Sequence, residues 1–184
     1  EAVLCQNGVT SPCAAGSAAR QCTENSNFHE IHGKIKVPVF QAGEAPYLSP
    51  GDGGGLNRDG SGNPQGVYYE EVCFSLTVPK GTMPAAGWPL VLYGHDLGGH
   101  FRSHAVDGIA GQMAKLKPAA AVVGIDAPLH GPRRASSLDP RALYQNLGNP
   151  VVVRGAAFQS AIEYLSLVVF AQTLDANLGI GVKT

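Results

Sequence analysis

Nowhere does this chain contain the ~20 consecutive apolar residues that a membrane-spanning helix needs. The longest candidate, residues 164–174, is broken by Ser166, Gln172 and Thr173, so the sequence reads as a soluble chain without a membrane span. It also lacks an excess of charge: 13 Lys and Arg stand against 14 Asp and Glu, for a formal net charge of -1. No broad field would pull it onto nucleic acid or an anionic membrane, and any partner has to be recognised locally. There is no Cys-x-x-Cys pair, which argues against a structural zinc site. No internal repeat or low-complexity tract stands out, and no Gly-x-Ser-x-Gly occurs anywhere. The chain opens at Glu1 with neither Met nor a basic-then-apolar leader, and the expectation is that whatever preceded Glu1 has been removed.

What is present is a chain of 184 residues, 44% apolar, enough for one domain with a sizeable core. Cys5, Cys13, Cys22 and Cys73 form an even set, three of them crowded into a segment too poor in apolar residues to build a core. They read as two disulfides and an oxidising compartment, secreted or periplasmic. Four cysteines allow three connectivities, and the spacing does not choose among them. Residues 1–27 read as a disulfide-stapled, irregular N-terminal extension, and residues 28–184 as the main domain.

Within 29–40 the apolar positions Ile31, Ile35, Val37 and Val39 alternate with polar ones, and 67–78 alternates again through Val67, Tyr69, Val72, Phe74, Leu76 and Val78. Period-two patterning predicts half-buried strands, here an antiparallel front end. Between them, Asn57, Asp59, Ser61 and Asn63 alternate as in a calcium loop, but Tyr68 stands where a bidentate Glu is required, so the reading is a hairpin turn at Asp59-Gly60. Residues 88–93 and 119–125 are short continuous apolar runs separated by a segment of helical length, the pattern of parallel strands in a βαβ unit. A further helix is expected over about 156–174, with Phe158, Ala161, Ile162, Leu165, Val168, Val169 and Leu174 as its buried stripe and Gly179 as its stop.

The chemistry concentrates after the two apolar runs. Gly94-His95-Asp96-Leu97-Gly98-Gly99 follows the first, at the carboxyl edge where open α/β sheets carry their sites. Glycines there let backbone amides approach a substrate oxygen, and such amides stabilise a developing oxyanion. Asp126, His130 and Arg133 follow the second run, and are expected to hold their loop by hydrogen bonds or to face a substrate. His95, Asp96, His100 and His104 are candidate metal ligands by type, but Gly98-Gly99 interrupts any common helix face and favours capping and loop packing instead. Ser103, Ser136, Ser137, Ser160 and Ser166 all lack the glycine-flanked sharp turn of a nucleophile elbow.

The run 88–99 (Trp-Pro-Leu-Val-Leu-Tyr-Gly-His-Asp-Leu-Gly-Gly) resembles the strand and His-Gly-x-Gly-Gly oxyanion loop of α/β-hydrolase esterases and lipases. The block 124–133 (Gly-Ile-Asp-Ala-Pro-Leu-His-Gly-Pro-Arg) resembles the family's next strand and turn. Asn149-Pro150 through Arg154, Gln159-Ser160 and the following helix resemble the segment before the nucleophile strand in secreted bacterial members. The blocks keep the family's order over 88–174. The resemblance implies an α/β fold, the N-terminal part of an α/β-hydrolase sheet in which antiparallel front strands lead into parallel βαβ units. It implies a secreted serine carboxylesterase or lipase acting on ester substrates through an acyl-enzyme, without a cofactor. The alternatives are a peptidase or polyester depolymerase on the same fold, or a non-catalytic binding protein on a hydrolase scaffold.

By that resemblance Leu97 supplies the oxyanion-hole amide beside Asp96, with His95, Gly98 and Gly99 completing the loop. Asp96 departs from the pattern, standing where the family has the second residue of its His-Gly pair, and its negative charge opposes an oxyanion unless it points away. With no Gly-x-Ser-x-Gly present, the Ser, the acid and the His are expected on a second polypeptide derived from the same precursor by a break near Thr184. The isolated chain is expected to expose strand edges and apolar surface.

Overall fold

A computed structural model of the chain describes residues 2–15 and 17–173. Strands β1 (Ala2–Leu4), β2 (Phe28–Val39), β5 (Tyr68–Pro79), β6 (Leu90–Tyr93) and β7 (Ala121–Ile125) form one mixed sheet in the order β1-β2-β5-β7-β6, and β3 (Gln41–Gly43) and β4 (Gly53–Leu56) form a small second one. The two long strands pair antiparallel from Phe28 opposite Pro79 to Val39 opposite Tyr68. β7 runs antiparallel to β5 and parallel to β6, with Leu90 opposite Ala121 and Tyr93 opposite Gly124. The crossover between β6 and β7 holds two short helices, α1 (Ser103–Val106) and α2 (Ile109–Met113), instead of the one expected. Gly108, at φ 83°, separates them.

One face of the sheet is apolar. Ile31, Ile35 and Val37 of β2, Val72, Phe74, Leu76 and Val78 of β5, and Val123 and Ile125 of β7 share a core with Leu167. The other face carries Glu30, His32, Ser75 and Thr77, the polar positions of the same alternation, yet these are equally buried. They are covered because the N-terminal segment is not a loose appendage. β1 extends the sheet, Cys5 pairs with Cys22, Cys13 pairs with Cys73 of β5, and Arg20 is 4% exposed. Buried polar groups have to be partnered, and here Arg102 donates to both Glu30 carboxylate oxygens at 2.7 Å while Ser75 Oγ donates to Glu30 Oε1. Burial alone would raise the Glu30 carboxyl, but the hydrogen bonds from His32 and Arg102 override it and hold it at about 2.

α3 (Pro140–Tyr144) is a short helix capped by Asp139. α4 (Pro150–Thr173) starts six residues before the expected point, with Pro150 in the first turn, where a missing N–H costs nothing. It also faces the other way. Val152, Ala156, Gln159, Glu163 and Leu167 are buried, whereas Phe158, Leu165, Val168 and Val169, expected on the buried stripe, are 44%, 67%, 37% and 60% exposed. Leu174 and Gly179 lie outside the described residues. Two interactions set this rotation. Gly155 lets β4 approach so closely that a Cβ there would lie 1.9 Å from Gly54 O. Glu163 and Gln159 reach inward: Gln159 bonds the Phe40 N–H and Pro38 O, and the Glu163 oxygens accept from Arg133 at 2.6 and 2.7 Å. α4 is long and apolar enough to meet the length-and-composition criterion for a membrane span, contrary to the sequence reading. Its buried Gln159 and Glu163 are nevertheless paired within the protein.

Arg133 also donates to Glu70 Oε2 and to the backbone oxygen of Asp126, joining α4, β5 and the turn after β7. Removing one partner of a buried pair strands the other charge. Arg133→Met is therefore expected to cost about 3–5 kcal/mol in urea unfolding, and a loss below about 1 kcal/mol would show that Glu163 finds another partner.

Candidate functional site

The two candidate loops leave the adjacent ends of β6 and β7, so parallel pairing alone places them side by side. They are then tied together by an exchange of imidazole acceptors. The Ala127 N–H donates to His95 Nε2 at 3.0 Å, and the Gly98 N–H donates to His130 Nε2 at 3.1 Å. Each ring uses its other nitrogen to donate within its own loop, His95 Nδ1 to Asp96 O at 2.8 Å and His130 Nδ1 to Pro128 O at 2.9 Å. The rings meet edge to face, 4.8 Å apart. Both imidazoles are thereby fixed as neutral, Nδ1-protonated tautomers. Gly98 adopts φ 96°, a left-handed conformation that a side chain would strain, and this turns its amide toward His130.

The lock uses up some amides of the loop and leaves others. Gly98 N–H is engaged by His130, and Gly99 N–H donates to Asp96 O at 3.0 Å. Among the described residues, the N–H groups of Asp96 and Leu97 donate to no protein atom. They border a cavity of about 360 Å³ lined by Gly94, Leu97, Ala127, His130, Ser160 and Tyr164. The Asp96 side chain is exposed, where solvent screens its charge. Tyr164 donates to Tyr93 O at 3.2 Å, and burial, followed by the nearby Glu163 charge, pushes its phenol up to about 12, so it stays neutral with its hydroxyl hydrogen engaged by Tyr93.

The other singled-out residues have structural partners. Both Asp126 oxygens accept from Arg20, at 2.9 and 2.6 Å, and Oδ1 also accepts the Phe101 N–H. Arg133 points away from the cavity into its ion pairs with Glu163 and Glu70. His130 reaches the cavity, but both its nitrogens are engaged. His104 is fully buried, and neither ring nitrogen has a partner among the described residues. The group with metal-ligand spacing among the described residues is Cys5, Cys22 and His32, whose two sulfurs are joined as a disulfide.

Ser160 and Tyr164 were not legible as cavity residues. Four apart on α4 they share a face, but the apolar stripe of the sequence points to a different inward face from the one the helix adopts. Arg20 carried no signal at all, since its partner Asp126 lies 106 positions away. A serine, a histidine and a glutamate do come together elsewhere, with His32 Nδ1 2.7 Å from Ser11 Oγ and His32 Nε2 2.8 Å from Glu30 Oε1. All three are buried beneath the N-terminal segment with no access for a substrate.

The lock depends on unprotonated imidazoles, and several histidines are held in that form. Burial lowers His100, His104 and His130, bringing His104 to about 4. A folded pKa below the unfolded ~6.5 means that the unfolded chain takes up protons first. Stability is therefore complete above about pH 6.5 and falls as pH drops toward 4, by about 3 kcal/mol from His104 alone. Urea unfolding at pH 7.5, 6 and 5 checks this, and unchanged or rising stability on acidification would refute it.

No family model matches the chain, and no curated protein or solved structure matches it significantly.

Proposed function

We propose that this chain is the oxyanion-loop portion of a secreted serine hydrolase of the carboxylesterase or lipase type. The observation that carries the reading is the pair of amides of Asp96 and Leu97, unengaged among the described residues, on a braced loop, at the carboxyl end of a parallel strand, whose residues line a cavity. Preorganised amides of this kind stabilise the negative charge on a carbonyl oxygen when a serine adds to it, without having to reorganise as the charge forms. The His95–His130 exchange supplies that rigidity. Two disulfides agree with an oxidising compartment.

The nucleophile, acid and base would be carried by a second polypeptide of the same precursor. Two features support more protein on this side of the sheet. Parallel strands are normally covered on both sides, yet among the described residues β6 is an edge strand with all four residues partly exposed. Beside it a groove of about 570 Å³ is lined by Trp88, Leu90 and Leu92 with Val168 and Ala171 of α4. Phe158, Leu165 and Val169 of α4 are also exposed among the described residues, and exposed apolar surface of this kind marks interaction sites.

Natively purified material is expected to hydrolyse p-nitrophenyl esters, and a serine-directed fluorophosphonate should label a polypeptide that co-purifies with this chain. Leu97→Pro deletes the proposed donor and should cost on the order of 10²–10³ in turnover, while Leu97→Ala keeps it and should be mild. Asp96→Asn should leave turnover equal or higher, since it removes a negative charge near the oxyanion. Folded material with neither labelling nor turnover above buffer would overturn the function. Equal losses from both Leu97 variants would overturn the oxyanion assignment alone.

A further inference from the structure

A second cavity lies against the same loop, formed where the N-terminal segment meets the turn after β7. It measures about 380 Å³, within the range of small-ligand sites, and its walls include Ser17, Arg20, Gly98, His100, Pro132 and Arg134. No carboxylate is among the described residues that line it. Arg20 is neutralised by Asp126 at 2.6 Å. Arg134 is not neutralised: its Nε donates to Ser136 O at 2.8 Å, and its terminal N–H groups have no acceptor among the described residues. Arg141, next to the lining residue Pro140, approaches the Gly98 wall, with Nη2 3.5 Å from where a Cβ on Gly98 would sit, and its guanidinium makes no hydrogen bond or ion pair among the described residues. The nearby Asp139 is committed to capping α3, accepting the Arg141 N–H at 2.7 Å. His100 is held below its ordinary value, by burial first and by Arg20 next, so it adds no charge near neutrality but leaves the field positive.

Two guanidinium groups without counter-ions beside a glycine loop, Arg134 half-buried and Arg141 exposed, leave the rim of this cavity positive and open to an anion. Each presents parallel N–H donors matched to an oxyanion. Ala15, Pro132 and Pro140 give the remaining wall an apolar character, so the fit is to an anionic group on a small apolar body. We infer that this cavity, flanked by Arg134 and Arg141, binds a small organic oxyanion, a carboxylate or a phosphate monoester. This stands apart from the hydrolase reading, since it uses neither the Leu97 amide nor a nucleophile.

Calorimetric titration of the natively purified protein with benzoate, phenyl phosphate, inorganic phosphate and neutral benzamide tests the inference. Benzoate or phenyl phosphate should bind at least tenfold more tightly than benzamide, and the tighter of the two identifies the anion. Inorganic phosphate should bind more weakly than phenyl phosphate if the apolar wall contributes. Arg134→Gln and Arg141→Gln should each weaken the anion at least tenfold, whereas Arg58→Gln, in the Asp59 turn, should not. Circular dichroism on each variant separates misfolding from lost binding, and Arg134→Lys, which keeps the charge but not the fork, should bind at an intermediate level. Anions bound no more tightly than benzamide, or binding untouched in both folded Arg→Gln variants, would overturn the inference. Ester turnover plays no part in the readout, so failure of the hydrolase reading would not be mistaken for failure here.

Discussion

The guanidinium of Arg133 stands where three elements meet. It donates to Glu163 of α4, to Glu70 of β5 and to the backbone oxygen of Asp126 at the end of β7. Burial opposes its charge, but the two carboxylates outweigh that and hold it firmly protonated. Because one guanidinium satisfies partners on a helix, a strand and a turn at once, it sets the rotation of α4 against the sheet. The same rotation brings Ser160 and Tyr164 to the cavity and sends Phe158, Leu165 and Val169 outward. Both the candidate site and the uncovered surface follow from a buried charge that had to be paired.

A second constraint enters through Asp126. Its carboxylate takes Arg20 from the N-terminal segment and the Phe101 N–H from the β6–α1 connection, while its backbone oxygen takes Arg133. The turn after β7 is thus held from both faces of the sheet, and this makes the imidazole exchange between His95 and His130 geometrically firm. The N-terminal segment acts as the cover of the polar sheet face. The Cys13–Cys73 bond fastens it to β5, and closing a loop with a sequence separation of 60 residues restricts the unfolded chain more than a short loop would.

Function on this scaffold belongs to loops rather than to the sheet. The loop after β6 presents two amides to one cavity and a glycine turn to another, the second carrying uncompensated positive charge. The proposed oxyanion loop is thus also a wall of the proposed anion site, with Gly98 shared between the imidazole exchange and the second cavity.

Local pattern was enough for the two long strands, for the parallel pair and for the position of both candidate loops, but not for the short strands β1, β3 and β4. The period-two alternation of 29–40 and 67–78 and the continuous apolar runs at 88–93 and 119–125 are properties of the chain itself, and a loop that follows a parallel strand is bound to emerge at its carboxyl edge. The presence of two disulfides was legible from the count of cysteines, but which sulfurs pair was settled by which segments lie together. Tertiary structure decided the rest. The alternation marks Glu30, His32, Ser75 and Thr77 as solvent positions, and only the N-terminal segment folding over them makes them core. The α4 sequence offers two plausible inward faces, and apolar content favours the wrong one. The choice fell to Glu163, Gln159 and Gly155, because pairing a buried carboxylate and admitting the β4 backbone outweigh burial of a few more methyl groups. The His95–His130 exchange likewise joins residues 32 and more positions apart, so no local pattern could carry it.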